Sequence, residues 1–191
     1  MTRHSLILVV ACVATPLMAQ EARHLDAHEH GVGQLDIAFE GSEMAMELHA
    51  PGADIVGFEY AAESTEDQAT VDAAIAVLAN PFALFVLPEA AGCSVVEASA
   101  ELEQEEDHDE DGEHEEEDGE EGHEEHEGHT EFHANYLLSC TDISKIGEMT
   151  FGYFEAFPNA LELEVQVISE DGATAFEVMK DNPVLDLGAL F

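Results

Sequence analysis

Apolar and polar residues alternate with a period of two over several stretches of this chain, the period of half-buried β-strands. Residues 34–40 set Leu35, Ile37 and Phe39 against polar neighbours, and residues 43–49 repeat the pattern with Met44, Met46 and Leu48. Gly41 and Ser42 between them predict a tight hairpin turn. Farther along, residues 160–168 alternate as Leu161, Leu163, Val165 and Val167, and residues 174–179 are expected to pair back antiparallel after a turn at 169–172. Residues 94–102 and 132–139 read as two strands of one long hairpin.

A single stretch shows helical spacing. Ser64 to Asp67 supply a cap and an acidic first turn, Val71, Ala74, Ile75 and Leu78 form the apolar stripe, and Asn80-Pro81 ends it. Residues 82–87 suit either a continued helix or a short strand. Phe151, Tyr153, Phe154 and Phe157 are read as core packing against the sheet. The pattern predicts a single α+β domain, mostly antiparallel sheet with one or two helices. About 140 residues outside the leader and the insert described next suffice for one core.

Between the two strands of the long hairpin the alternation stops. Residues 101–131 hold nineteen acids and five histidines, with no Lys or Arg. So little apolar surface does not offset the entropy of ordering, and a disordered, self-repelling insert is expected unless a cation binds. The imidazoles are His108, His114, His123, His126 and His129, with His133 just beyond. Neutral imidazole favours zinc, copper and nickel, whereas carboxylates alone favour calcium, magnesium and manganese. The spacing from His123 to His133 lets two or three rings converge with glutamates in a tetrahedral shell, which points to zinc at several exchangeable sites. The competing reading is a solvated acidic spacer. Asp107, Asp109, Asp111, Gly112 and Asp118 trace an EF-hand loop, but its flanks are acidic where apolar helices are required.

The N-terminal residues have the composition of a leader. Arg3 and His4 precede an apolar run at 6–13, and Ala19 offers a small residue before Gln20. Residues 1–19 therefore read as a secretory signal peptide, and residues 20–191 as one mature domain interrupted by the insert. The apolar run is too short to span a bilayer, and no membrane insertion is expected. Loss of Arg3 leaves Arg23, Lys145 and Lys180 against 44 acids, one unit more negative than the −40 of the whole chain. Nucleic acid and anionic lipid are repelled by such a surface, whereas cations and basic proteins are attracted. Cys93 and Cys140 stand on either side of the insert, and in an oxidising compartment they read as a disulfide, with a thiolate zinc ligand as the alternative.

A second histidine cluster, His24, His28 and His30, follows the leader. In an extended segment His28 and His30 project the same way and can share a cation, with Gly31 and Gly33 allowing the backbone to fold close. An exposed, unstructured terminus is the plainer reading. His133, beside Glu131, closes a site with this pair if the two segments meet. His49 reads first as an exposed strand-end residue and second as a ligand.

The run from His28-Glu-His30-Gly31 to Leu35-Asp36, the Asp54-Ile-Val-Gly57-Phe58-Glu59 segment, Ala91-Gly92-Cys93 before the insert and Glu131-Phe132-His133-Ala-Asn-Tyr136 after it resemble the ZrgA-type family of periplasmic zinc-uptake proteins. The resemblance covers nearly all of the mature chain. It implies an accessory factor that binds zinc in the periplasm and assists an ABC-type zinc importer, with metal on His28, His30 and the loop histidines. No HExxH helix, nucleophile elbow or phosphate-cradling glycine loop is present, so no enzyme is expected. Two other classes stay open: a polyanionic protein-interaction module of the cell envelope, and a binder of nickel, copper or calcium.

Overall fold

The computed structural model describes residues 29–104, 129–170, 172–188 and 190. The first expected hairpin is present as β1 (Val32–Glu40) and β2 (Glu43–Pro51), with Leu35 opposite Leu48 and Phe39 opposite Met44. The inward residues read from the alternation, Leu35, Ile37, Phe39, Met44, Met46 and Leu48, are all buried. Gly41 takes a φ of 59°, which a tight turn demands and which glycine adopts without steric cost.

One helical turn, α1 (Gly52–Ile55), leads by way of an irregular segment to the predicted helix, α2 (Thr65–Leu78). Ser64 caps α2 by accepting the Asp67 backbone N–H, and Val71, Ala74 and Leu78 face the core. Residues 82–87 divide between both expectations: α3 (Pro81–Leu84) is a single turn and β3 (Phe85–Val86) a short strand. Beyond them lie β4 (Cys93–Gln104), β5 (Thr130–Cys140), β6 (Glu148–Phe151), α4 (Tyr153–Ala156), β7 (Glu162–Ser169), β8 (Gly172–Met179) and β9 (Val184–Asp186).

Six strands make one sheet in the order β4-β5-β2-β1-β7-β8. Neighbours pair antiparallel except β1 and β7, which run parallel. Its inner face carries Phe132, Ala134, Tyr136 and Leu138 of β5 and Leu163, Val165 and Val167 of β7, beside the first hairpin's residues. Over that face lie α2 and a three-stranded sheet ordered β3-β6-β9. Tyr136 ties the layers together by donating to the Leu78 carbonyl at 2.9 Å. Phe85 packs its ring edge-on to those of Tyr136 and Phe151, and Tyr153, Phe154 and Phe157 are buried, so the four aromatics before the last hairpin are core as expected.

Three features depart from the sequence reading. Four helices are present among the described residues, because single turns such as α1, α3 and α4 are too short to carry a periodic signal. The small second sheet went unforeseen for the same reason. The strands also run deeper into the acidic segment than 101–131 implied: Leu102 stands opposite Phe132 and Gln104 opposite Thr130, so 101–104 and 130–131 are strand. Pairing satisfies their backbone groups, and Thr130 and Phe132 are buried, which outweighs the acidic composition. Residues 1–28 and 105–128 lie outside the described residues, and with them the leader, His24, His28, His108, His114, His123, His126 and the EF-hand pattern.

Cys93 and Cys140 are joined by a disulfide at the far end of the β4 and β5 ladder, where they stand opposite one another. The bond closes a sequence separation of 47 residues, of which the insert is the larger part. Replacing both cysteines by alanine is expected to lower unfolding free energy by about 2 to 4 kcal/mol. Urea titration of the two proteins measures the difference, and an unchanged midpoint refutes it.

Candidate metal centre

The register of β5 on β2 sets His49 opposite His133 and Pro51 opposite Glu131. Leu48, Ala50, Phe132 and Ala134 point into the core, so the alternation sends His49, Glu131 and His133 to the outer face. There the ligand atoms of the three side chains lie within 4.8 Å of one another. His133 Nε2 is 2.7 Å and His49 Nδ1 3.4 Å from Glu131 Oε2, and the two rings meet edge-on with centroids 4.3 Å apart. Glu131 is 13% exposed, His133 18% and His49 29%, so the group is drawn in from the surface.

Two further carboxylates frame this group. Glu47 Oε1 lies 3.1 Å from His49 Nε2, and Glu103 Oε2 lies 3.5 Å from His133 Nε2. The tautomer with its proton on Nε2 donates to Glu47 and leaves the Nδ1 lone pair aimed toward Glu131. A carboxylate behind a histidine is the arrangement that orients a metal-ligating ring. Glu103 stands opposite Glu131 and Glu101 opposite His133, so the cluster sits on the stem of the insert, within four residues of the points where the chain leaves and re-enters the sheet.

A second grouping involves His30 and His129. His30 Nε2 lies 3.0 Å from Glu59 Oε1, and His129 Nδ1 lies 3.1 Å from Glu59 Oε2. His30 is held in place by the residue after it: Gly31 has a φ of 92°, its N–H donates to Asp54 Oδ1 at 2.8 Å, and its carbonyl accepts the Leu161 and Glu162 N–H groups. Asp54, 2% exposed, is the more buried of the acids; burial raises its pKa, the Gly31 N–H and His30 lower it, and Glu59 raises it.

The described ligands predicted from sequence thus separate into two places. His133 meets His49, not His30, because the β2 and β5 ladder sets those two residues opposite one another. His30 meets His129 through Glu59. His49 and Glu131 join a cluster that the sequence reading had not assembled, and the alternation His49 with Glu47, and Glu131 with His133, on polar strand faces was its signal. Cys93 and Cys140 are paired to each other.

An α+β sheet carrying two imidazoles and a carboxylate at the root of a histidine-rich connection defines a candidate metal-binding protein. The family model of the ZrgA family zinc uptake proteins matches residues 27–187, and the chain belongs to that family. The family is one of zinc uptake proteins, not of enzymes. No curated protein matches the chain. Among the described residues no helix is long and apolar enough to cross a membrane.

Glu131 raises the His49 pKa above 6.5; burial acts the other way, and Glu47 adds to the rise. A raised histidine pKa stabilises the folded chain fully below about 6.5 and is given up as pH rises through the folded-state value. Ring-proton NMR titration is expected to place His49 above 6.5 in the metal-free chain and to lower it in E131Q. An E131Q value equal to the parent's overturns the assignment.

Gly52, at the start of α1, admits no side chain: a Cβ there meets Thr130 Oγ1 at 2.2 Å and the Phe58 carbonyl at 2.7 Å. This approach seats α1 against the first residue of β5, directly between the two histidine groupings. G52A is expected to destabilise the chain by about 1 to 3 kcal/mol, measured by thermal unfolding; a neutral outcome contradicts the close approach.

Proposed function

We propose that the chain captures zinc in the periplasm, at His49, Glu131 and His133 together with the histidines of the insert, and hands it toward an ABC-type importer. The observation that carries the reading is the position of the cluster: two imidazoles and a carboxylate on the stem of a segment rich in the same ligands. Two nitrogens and one oxygen suit tetrahedral zinc and leave a fourth position for water, Glu103 or a ligand from the insert. A vacant or exchangeable position is what a carrier needs, since a closed four-ligand shell holds its ion as structure.

The leader composition of residues 1–19 and the cysteine pair support an oxidising compartment outside the cytoplasm, where the Cys93–Cys140 disulfide persists. On this reading the acids raise the local cation concentration through their field. The imidazoles then select transition metals over calcium.

The test is zinc calorimetry on the mature chain with calcium in excess. H49Q/H133Q is expected to lose one calcium-resistant zinc, and E47Q to weaken it by about 10- to 100-fold, because the carboxylate behind His49 orients the ring. Unchanged zinc binding in H49Q/H133Q removes the reading. Affinity is also expected to fall between about pH 7.5 and about pH 5.5, since zinc requires neutral imidazole; the raised His49 pKa makes the fall begin on the alkaline side of 6.5.

A further inference from the structure

We propose that His30, Glu59 and His129 form a second zinc position, beside the His49, Glu131 and His133 cluster and separate from it. The proposal extends the zinc reading above, but it does not need the first cluster to bind.

The convergence is the first argument. His30 precedes β1 and His129 precedes β5, so 99 residues of sequence separate two rings that address the two oxygens of one carboxylate, at 3.0 and 3.1 Å. Like His49 and His133 on Glu131, these two rings share one glutamate, but here each takes its own oxygen. That carboxylate is also withdrawn from water, 14% exposed, while the rings on it are 66% and 56% exposed.

A buried acid beside the group is the second argument. Asp54 is 2% exposed; its Oδ1 accepts the Gly31 N–H, and its Oδ2 has no hydrogen-bond partner. Buried polar atoms are rarely left so, and a carboxylate oxygen least of all. The Gly31 N–H that holds its Oδ1 belongs to the residue after His30, and Asp54 interacts electrostatically with both His30 and Glu59, so its unpartnered oxygen lies close to this cluster. Two more buried polar atoms lack partners, Thr130 Oγ1 and Tyr153 OH. Thr130 follows His129 directly, and Tyr153 interacts electrostatically with Asp54. A cation among His30, Glu59 and His129 compensates two carboxylates, Asp54 and Glu59, that otherwise repel one another.

The donor set selects the ion. Two imidazole nitrogens and one carboxylate make a zinc-type set with a fourth position free, whereas calcium and magnesium take oxygen ligands. The rings lie on different oxygens of Glu59. Sharing an ion requires both nitrogens on one side of it, and rings more than half exposed have room to turn. His129 and Glu131 are two residues apart, roughly 7 Å along an extended chain. The stem of the insert would thus carry two neighbouring positions, between which an ion moves in one short step.

Zinc-edge anomalous diffraction from crystals of the unaltered chain grown with zinc tests the proposal directly. The expected result is one peak among His49, Glu131 and His133 and another at about 2.0 to 2.1 Å from His30 Nε2 and His129 Nδ1 with Glu59 as third ligand. A peak at the second position without the first supports this proposal and defeats the first-site reading. A peak at the first without the second, or one ion joining both groups, overturns it. In solution, with His108, His114, His123 and His126 replaced by Gln, E59Q is expected to remove one zinc equivalent that H49Q/H133Q retains, and E63Q none. Loss of the same equivalent by E59Q and H49Q/H133Q overturns it, and far-UV circular dichroism checks that each variant folds.

Discussion

His49 stands opposite His133 because Glu43 pairs with Ser139 and every step of the β2 and β5 ladder follows from that start. A slip of one residue would turn one of the two strands over, either sending Leu48 and Ala50 outward and burying His49, or sending Phe132 and Ala134 outward and burying Glu131 and His133. The cost of exposing that much apolar surface and desolvating those ionisable groups holds the register where it is. The same constraint that closes the core therefore builds the outer cluster. Core and site are two faces of one pairing, and neither can shift without the other.

Around this pairing the molecule manages an excess of negative charge. With 44 acids against four basic residues, ion pairs to Lys or Arg cannot neutralise the surface. Histidine takes part of that role. His30, His49, His129 and His133 each lie within 3.5 Å of a glutamate, and in two places a single glutamate serves two rings. Such contacts exchange protons for metal readily, because imidazole that hydrogen-bonds a carboxylate when protonated presents a lone pair when neutral. A chain of this composition attracts cations, and the imidazoles weigh the choice toward transition metals.

The disulfide and α1 brace the two ends of the insert stem. Cys93 and Cys140 close the ladder at the end remote from the insert, while Gly52 lets α1 press on Thr130 at the end nearest to it. Between these braces β4 gains one extra residue: the register shifts between Val95 and Glu97, and this bulge determines that Glu101 and Glu103, not their neighbours, stand opposite His133 and Glu131. No local signal announces such a bulge. One inserted residue therefore chooses which carboxylates of β4 frame the cluster.

The chain's own letters were enough to place both hairpins, the capped helix α2, the two feet of the insert and the Cys93 to Cys140 bond, since period, cap and turn residues act over a few positions. They also singled out His30, His129 and His133 as candidate ligands and carried the resemblance to the ZrgA family, to which the chain belongs. Sequence did not show the parallel pairing of β1 with β7, the second sheet, or the membership of each histidine group. Alternation says which face a side chain takes; it is silent on which strand lies alongside and in what register. That depends on long-range burial across many strands at once, so it was tertiary structure that brought His49 to His133 and set Glu59 between His30 and His129.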